Sequence, residues 1–236
     1  MINHFKDILS LFNRKRKSKK ISYSQTGIDL ILNSIFKNKK KGFYIDVGCN
    51  HPIFNNNTYL LHKRGWIGIN IDLDKDCIRL FNKFRKNDLN INCALSSKST
   101  TKDLYFYHNK SPLNTLNKNI SNKQKAKLQN VIKVNTKTLN EILTNENLNN
   151  KLIDVLCIDV EGHELDVIKG LDLNLYKPKI VVLEFLDTEI NNLEVKNLNI
   201  DNVLNSEIYK FMISNNYTFI NWLHSDLIFV ENSFRD

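Results

Sequence analysis

No run of about twenty apolar residues occurs in this chain of 236 residues, so the sequence predicts no membrane-spanning helix. Cysteine is scarce too, because there are only four and no two have the C-x-x-C spacing of a zinc or redox site. Reduced thiols in an intracellular, cytoplasmic protein fit this pattern best. No internal repeat is visible, and the hydrophobic content of 42% suffices for one well-packed domain.

Glycine is sparse where many nucleotide-binding proteins need it most. The stretch FYIDVGCNHP, residues 43–52, contains only Gly48. Because G-x-G-x-x-G is absent, we expect no pyrophosphate cradle here, which disfavours a nicotinamide-dependent dehydrogenase. Asn50 and Pro52 stand where further glycines are common; asparagine accepts unusual backbone angles and proline stiffens a turn. His51 is then either a general base or a packing residue, and we favour packing.

The rest of the chain alternates strand-like and helix-like patterns. Strand-like runs of apolar, β-forming residues occur at 42–47, 66–72, 89–95, 152–159 and 178–185. Helical patterns occupy 57–63, 75–84 and 164–171, and two further strand runs, 217–222 and 226–232, are joined by a short polar link. We therefore predict an α/β fold with a doubly wound, mostly parallel sheet and an antiparallel C-terminal hairpin. The polar stretch 114–130 is predicted to be a lid or mobile loop.

The first 22 residues form a basic, amphipathic leader ahead of a single domain that spans residues 23–236. Phe5, Leu9 and Phe12 recur at helical spacing, and the basic run RKRKSKK follows at 14–20. A secretory signal has the opposite order, with positive charge before the apolar stretch. The leader is either a solvated extension or a helix that contacts an anionic, inner membrane surface. The net charge of +9 carries little weight in so Lys- and Asn-rich a chain.

Acidic residues follow the predicted strands. Asp46 and Asp72 close the first two strands, and Asp159, Glu161 and Glu184 lie at the ends of the fourth and fifth. Ligands of open α/β sheets bind beyond these carboxyl ends. An acid after the second strand can accept hydrogen bonds from both ribose hydroxyls, and one beside a tight glycine turn can meet a ligand amine. A nucleoside with an amino acid tail, S-adenosylmethionine, fits these acids.

Five segments resemble the FkbM-type methyltransferases: YSQTGIDLIL, FYIDVGCNHP, NTYLLHKRGWIGINID, SPLNTL and IDVEGHELDVIKG. The resemblance as a whole extends over about residues 23–185. The resemblance implies the class I methyltransferase (Rossmann-like) fold, S-adenosylmethionine as methyl donor, and a hydroxyl acceptor on a sugar or polyketide. It also implies cofactor-binding residues: Asp46, Gly48, Cys49 and Asn50 around the methionine end, Asp72 at the ribose, Ala94 with Leu95 at the adenine, and Gln25 in the same pocket.

Methyl transfer to a sugar hydroxyl requires activation of a weak nucleophile. In DVEGHE, residues 159–164, we assign catalytic roles to Asp159, Glu161 and His163, any of which could take the proton. Asp159 and Glu161 project to the same side if the strand geometry continues. Alternatively, Asp159, Glu161 and Glu184 could hold Mg²⁺ through oxygen ligands.

The sequence thus predicts a methyltransferase that acts on a hydroxyl of a sugar, glycan or glycolipid. The strand end DVEG lacks the Asn/Asp-Pro-Pro-aromatic turn typical of amino-group methylation of bases, and no RNA-binding module is visible. A nucleic-acid partner is therefore disfavoured. Two alternatives stay open: an RNA 2′-hydroxyl methyltransferase and a non-catalytic module that binds S-adenosylmethionine.

Overall fold

The computed structural model describes residues 20–109, 111–124, 126–185 and 199–235, together with positions 6, 9 and 10. Most of the predicted leader, including Phe5, Phe12 and nearly all of its basic run, lies outside these residues, so its role stays a prediction. Among the residues described, no helix is both long and apolar enough to cross a bilayer.

Strands and helices alternate through most of the described chain. The strands are β1 (Phe43–Val47), β2 (Ile67–Asp72), β3 (Leu89–Asn92), β4 (Ala94–Leu95), β5 (Thr101–Phe106), β6 (Asn130–Lys137), β7 (Val155–Ile158), β8 (Ile180–Glu184), β9 (Tyr217–Leu223) and β10 (Asp226–Glu231). The helices are α1 (Ile28–Ile35), α2 (Tyr59–Lys63), α3 (Lys75–Phe84), α4 (Lys118–Lys123), α5 (Leu139–Asn145), α6 (Glu164–Lys169), α7 (Leu173–Tyr176), α8 (Ile200–Leu204), α9 (Glu207–Ser214) and α10 (Asn232–Arg235).

A seven-stranded sheet forms the centre of the molecule, in the order β3-β2-β1-β7-β8-β10-β9. The first five strands in this order are parallel, whereas β10 runs antiparallel to both β8 and β9. This arrangement confirms the predicted α/β fold with a mostly parallel, Rossmann-like sheet. The chain starts in the middle at β1, moves outward to β3 and returns to β7, so the strand order reverses between β1 and β7.

Both faces of the sheet are covered, which explains the nearly continuous apolar runs of its inner strands. Ile45 and Val47 of β1 belong to the larger hydrophobic cluster on one face, together with residues of α5 and α6. Tyr44, directly before Ile45, packs into the second cluster with residues of α1 on the other face. Parallel strands buried on both sides require this composition, because successive side chains point to opposite faces.

The prediction of one strand over residues 89–95 is wrong. The chain leaves the central sheet after β3, where the amide of Cys93 donates a 3.0 Å hydrogen bond to the carbonyl of Asp72. It then forms β4 in a separate three-stranded sheet of order β4-β6-β5. Neither β5 nor β6 was predicted from the sequence. Most residues of β6 are exposed, and its few apolar residues form no continuous run of the kind that marks a buried strand.

Candidate active site

A cavity of about 430 Å³ opens at the carboxyl ends of β1, β2, β7 and β8, beside the point where strand order reverses. This is where ligands bind in open α/β sheets. Its wall brings together most of the residues that the sequence predicts for the site: Gln25, Gly48, Asn50, Asp72, Ala94, Leu95, Asp159, Glu161, His163 and Glu184. Asp46 and Cys49 do not line it.

The turn after β1 is built tightly against the end of β7. Gly48 has φ +74°, and a Cβ on it would lie only 1.7 Å from the carbonyl oxygen of Asp159. No other residue type fits there. Asn50 also adopts a left-handed conformation, with φ 51°, which asparagine tolerates better than most residues. One glycine and one asparagine therefore suffice for a turn that other proteins build with more glycines.

Asp72 ties this turn to the end of β2. Its Oδ2 accepts a 2.9 Å hydrogen bond from the Asn50 amide, and its Oδ1 accepts one of 2.8 Å from the Asp74 amide. Burial raises the pKa of Asp72 to about 6, against the effect of these two hydrogen bonds. Each carboxylate oxygen can accept a further bond, so the residue can both hold the turn and receive ligand hydroxyls.

Asp46 points away from the cavity. Its Oδ2 accepts hydrogen bonds from Thr58 Oγ1 at 2.7 Å and Asn56 Nδ2 at 3.0 Å. Burial raises the pKa of this carboxyl, and the positive charge of Arg85 opposes the rise. These hydrogen bonds fix the loop between β1 and α2, and the assignment of Asp46 to the methionine end of the cofactor stays a prediction. Cys49, likewise, packs with Ile78 and Phe81.

Arg85 was not predicted to take part in the site, yet it is completely buried just after α3. Its guanidinium donates to the Pro52 carbonyl at 2.7 Å, to Asn56 Oδ1 at 2.6 Å and to Thr58 Oγ1 at 2.8 Å. It therefore anchors the whole loop that follows the Gly48 turn. Only an arginine at the end of a predicted helix was visible in the sequence, and nothing there distinguished it from a surface residue.

Three carboxyl groups meet on the opposite side of the cavity. Oxygen atoms of Asp159, Glu161 and Glu184 all lie within 4.8 Å of one another. The strand geometry does not continue through Glu161, since β7 ends at Ile158 and Glu161 has φ 57°. The two adjacent strand ends bring the carboxyls together nevertheless.

The turn that carries Glu161 is fixed from two sides. Glu164 Oε1 accepts hydrogen bonds from the amides of Val160 and Gly162, at 2.9 and 3.0 Å. From the segment before α4, Thr115 Oγ1 donates to the Glu161 carbonyl at 2.7 Å and Asn117 Nδ2 to the Gly162 carbonyl at 2.6 Å. The polar stretch predicted to be a lid thus includes α4 and packs directly on this turn.

Burial raises the pKa of several acids at the cavity. It raises the pKa of Asp159 to about 6 and also raises that of Glu184, where repulsion from Asp159 adds to the effect. Asp226 was not predicted, yet it lines the cavity and lies opposite Glu184 in the β8–β10 pairing. Burial raises its pKa to about 7. Its position at the start of a strand run was visible in the sequence, but the pairing with β8 was not.

His163 lines the cavity, but both of its ring nitrogens have neighbours in the protein. Nε2 is 3.0 Å from Ser96 Oγ, and Nδ1 is 3.5 Å from a carboxylate oxygen of Asp166. Burial lowers its pKa. His51 lies outside the cavity wall, where its Nδ1 accepts hydrogen bonds from the amides of Ile53 and Phe54. These contacts agree with a structural role for His51.

The segment before α1 forms another part of the wall. The buried carboxylate of Asp29 accepts hydrogen bonds from Ser22 Oγ at 2.6 Å, the Tyr23 amide at 2.7 Å and Ser24 Oγ at 3.0 Å. This arrangement fixes the loop so that Gln25 reaches the cavity, as the sequence predicts.

The cavity thus lies beyond a glycine turn after β1 and an acid at the end of β2, at the edge of a Rossmann-like sheet where ligands bind. The family model of the methyltransferase FkbM domain matches residues 46–219, which is more than half of the chain, and the protein therefore belongs to this family. It is a methyltransferase by family. A comparison with curated proteins finds no significant match.

Proposed function

We propose that this protein is an S-adenosylmethionine-dependent O-methyltransferase of class I fold that acts on a hydroxyl of a sugar, glycan or glycolipid. Membership of the FkbM family supports methyl transfer. The single observation that carries the proposal is the cavity itself, in which Asp72 and the Gly48 turn lie on one side and the three-carboxyl cluster on the other.

The chain's residues suit the donor. S-adenosylmethionine, when bound, supplies a methyl group from a positively charged sulfonium. Asp72 would accept the ribose hydroxyls, Ala94 and Leu95 would cover the adenine, and Gly48 and Asn50 would face the amino acid end. Acidic side chains surround the cavity, so a cationic cofactor is favoured there over an anionic one.

The remaining wall suits a hydroxyl-rich acceptor. It contains amide and hydroxyl side chains that can donate to and accept from a sugar: Asn55, Asn57, Ser111, Asn114 and Ser225. As the methyl carbon bonds to the acceptor oxygen and its bond to sulfur breaks, the hydroxyl proton must leave. Asp159 and Glu161 would activate the hydroxyl, either directly as a general base or through a bound cation such as Mg²⁺.

The same charge distribution argues against RNA as the acceptor. A 2′-hydroxyl in RNA lies between two phosphodiesters, which the carboxyls of Asp72, Asp159 and Asp226 would repel at close range. The chain's net positive charge does not reach into this cavity, whose lining includes no lysine or arginine among the residues described.

The leader would bring this activity to a membrane surface. Residues 1–22 would contact an anionic membrane surface, where glycolipid acceptors are found, while residues 23–236 form one catalytic domain at the cytoplasmic side. The charge order of the leader in the sequence supports this part of the proposal.

Calorimetric titration with S-adenosylmethionine tests donor binding, and methyl transfer to a panel of sugars, glycans and glycolipids tests the acceptor class. The proposal expects binding and a methyl ether product. Binding without transfer to any panel member would favour a non-catalytic module, and transfer to RNA with steep salt dependence would favour the 2′-hydroxyl alternative.

A further inference from the structure

The carboxyl group of Glu184 is incompletely satisfied. The residue lines the cavity, and only 8% of its surface is exposed. Its Oε2 has no hydrogen-bond partner among the described residues. A buried carboxylate oxygen without a partner is costly, so such an atom points to a ligand that the protein itself does not supply.

Two members of the cluster, Asp159 and Glu184, lie close together without a cationic side chain beside them among the described residues. Neither Asp159 nor Glu184 forms an ion pair with a lysine, arginine or histidine there. Asp226, which lies opposite Glu184 in the sheet, adds a further acid at the cavity wall. Glu184 is buried, and a buried carboxyl beside other acids is usually paired with a cation or coordinates a metal.

The backbone holds the three carboxyls in position. Asp159 and Glu184 follow neighbouring parallel strands, and Glu161 lies in a left-handed turn that Glu164 and Thr115 fix by hydrogen bonds. Oxygen ligands on opposite sides of Mg²⁺ are about 4.2 Å apart, and those around Ca²⁺ reach about 5 Å. The 4.8 Å limit of this cluster therefore matches a hard divalent cation with small side-chain movements.

We infer that Asp159, Glu161 and Glu184 form a divalent-cation site that completes the acceptor side of the cavity. The inference rests on the proposed function for the role of the cation but not for its binding. Three carboxylates leave about three positions of an octahedral ion open, and the site faces the cavity. An acceptor hydroxyl bound at one of these positions would be more acidic, and its proton would pass to water as the methyl group is transferred.

Binding of Mn²⁺ to the full chain without S-adenosylmethionine tests the site, with loss of the free-ion electron paramagnetic resonance signal as the readout. We expect one Mn²⁺ per chain, displaced by Mg²⁺ and with enhanced water-proton relaxation from the open positions. Glu184→Gln and Glu161→Gln should each weaken Mn²⁺ binding by at least about tenfold, which corresponds to one lost charged ligand.

Asp226→Asn is the matched control, because it removes a neighbouring cavity carboxylate that is not in the cluster. It should weaken Mn²⁺ binding by no more than about threefold, less than the tenfold loss expected when a ligand is removed. Circular dichroism and the melting temperature show whether each variant is folded. Absence of Mn²⁺ binding to the folded wild type at millimolar concentration would overturn the inference, and so would equal losses in Asp226→Asn and Glu184→Gln.

The donor titration separates this inference from the proposed function. Binding of S-adenosylmethionine and methyl transfer that resists chelators, with no Mn²⁺ bound, would contradict the cation site alone. Stoichiometric Mn²⁺ binding to a chain that neither binds the donor nor transfers methyl groups would support the site and contradict the proposed function.

Discussion

The backbone amide of Asn50 donates a 2.9 Å hydrogen bond to Oδ2 of Asp72, and this bond joins the glycine turn after β1 to the end of β2. A single carboxylate therefore both shapes the turn and faces the cavity. Loss of this carboxylate should affect the site in two ways, through the missing ligand contact and through a looser turn.

We predict that Asp72→Ala weakens binding of S-adenosylmethionine by about 1–3 kcal/mol, because the ribose hydroxyls lose an ionised acceptor. Calorimetric titration measures the change. Asp74→Ala is the control: Asp74 also lines the cavity but caps α3 by accepting from the Asp76 amide. Its loss should lower stability by about 1 kcal/mol and change donor affinity less. Unchanged affinity in Asp72→Ala would refute the ribose assignment.

The raised pKa of Asp72, about 6, predicts a pH dependence of donor binding. The carboxylate is ionised above this pH and becomes protonated below it, so the affinity for S-adenosylmethionine should fall as the pH drops from 7 to 5. Asp72→Asn should show a shallower dependence, because the remaining change then comes from Asp159 and its neighbours. Parallel pH profiles for wild type and Asp72→Asn would show that Asp72 does not contribute.

Because Gly162 packs against α4, a side chain at position 162 should lower stability by more than backbone strain alone would. Gly162 has φ +89°, and a Cβ there would lie 2.5 Å from Cγ1 of Ile120. Gly65 has nearly the same φ, +87°, but no atom within 4 Å of such a Cβ. Gly65→Ala should therefore cost only the left-handed strain, about 1–2 kcal/mol. Gly162→Ala should cost more and should also reduce methyl transfer.

Denaturant unfolding and turnover compare these two variants. Adding Ile120→Ala to Gly162→Ala should recover part of the extra loss, since it removes the atom that clashes. If both glycine variants lose the same stability and activity, the packing of α4 on the Glu161 turn has no functional importance.

Burial of Arg85 predicts a strong dependence of stability on this residue. Arg85→Met should lower the free energy of unfolding by about 3–5 kcal/mol, because Asp46 and the loop carbonyl of Pro52 lose a buried cation. Arg79→Met on α3 is the control, since Arg79 is exposed and pairs with Asp76 at 3.3 Å. Its cost should stay below about 1 kcal/mol. Equal stability of the two variants would contradict the anchoring role of Arg85.

The leader hypothesis predicts a separation of membrane binding from catalysis. A chain without residues 1–20 should no longer bind vesicles that contain phosphatidylglycerol, because the basic run provides the attraction. Its turnover of a water-soluble acceptor should persist, since the hydrogen bonds of Asp29 to Ser22 and Tyr23 remain. Sedimentation with vesicles measures binding, and equal binding by the truncated chain would leave the leader a solvated extension.

The sequence was most informative where apolar runs and strand ends coincide. The parallel strands and the acids Asp72, Asp159 and Glu184 could be predicted because a buried strand needs a continuous apolar run and the functional edge of the sheet is fixed by topology. The exposed β6, the inward turn of Asp46 and the burial of Arg85 could not be predicted in this way. Each depends on contacts between segments far apart in the chain, which local periodicity does not report.

The geometry of the three-carboxyl cluster also could not be predicted from the local sequence pattern. The predicted proximity of Asp159 and Glu161 assumed an extended strand, whereas the structure brings Glu161 to Asp159 and Glu184 through a left-handed turn. Asp226 escaped prediction because it joins the site only through the antiparallel pairing of β10 with β8.

Methyl transfer from methyl-labelled S-adenosylmethionine to fractionated sugars, glycans and glycolipids tests the central claim most directly. The account predicts label in a base-stable methyl ether on a sugar fragment, located by mass spectrometry. It also predicts that Glu161→Gln lowers turnover by about 10²–10⁴ while donor affinity changes little. Label confined to RNA or to a base-labile ester, or near-normal turnover by Glu161→Gln, would contradict the account.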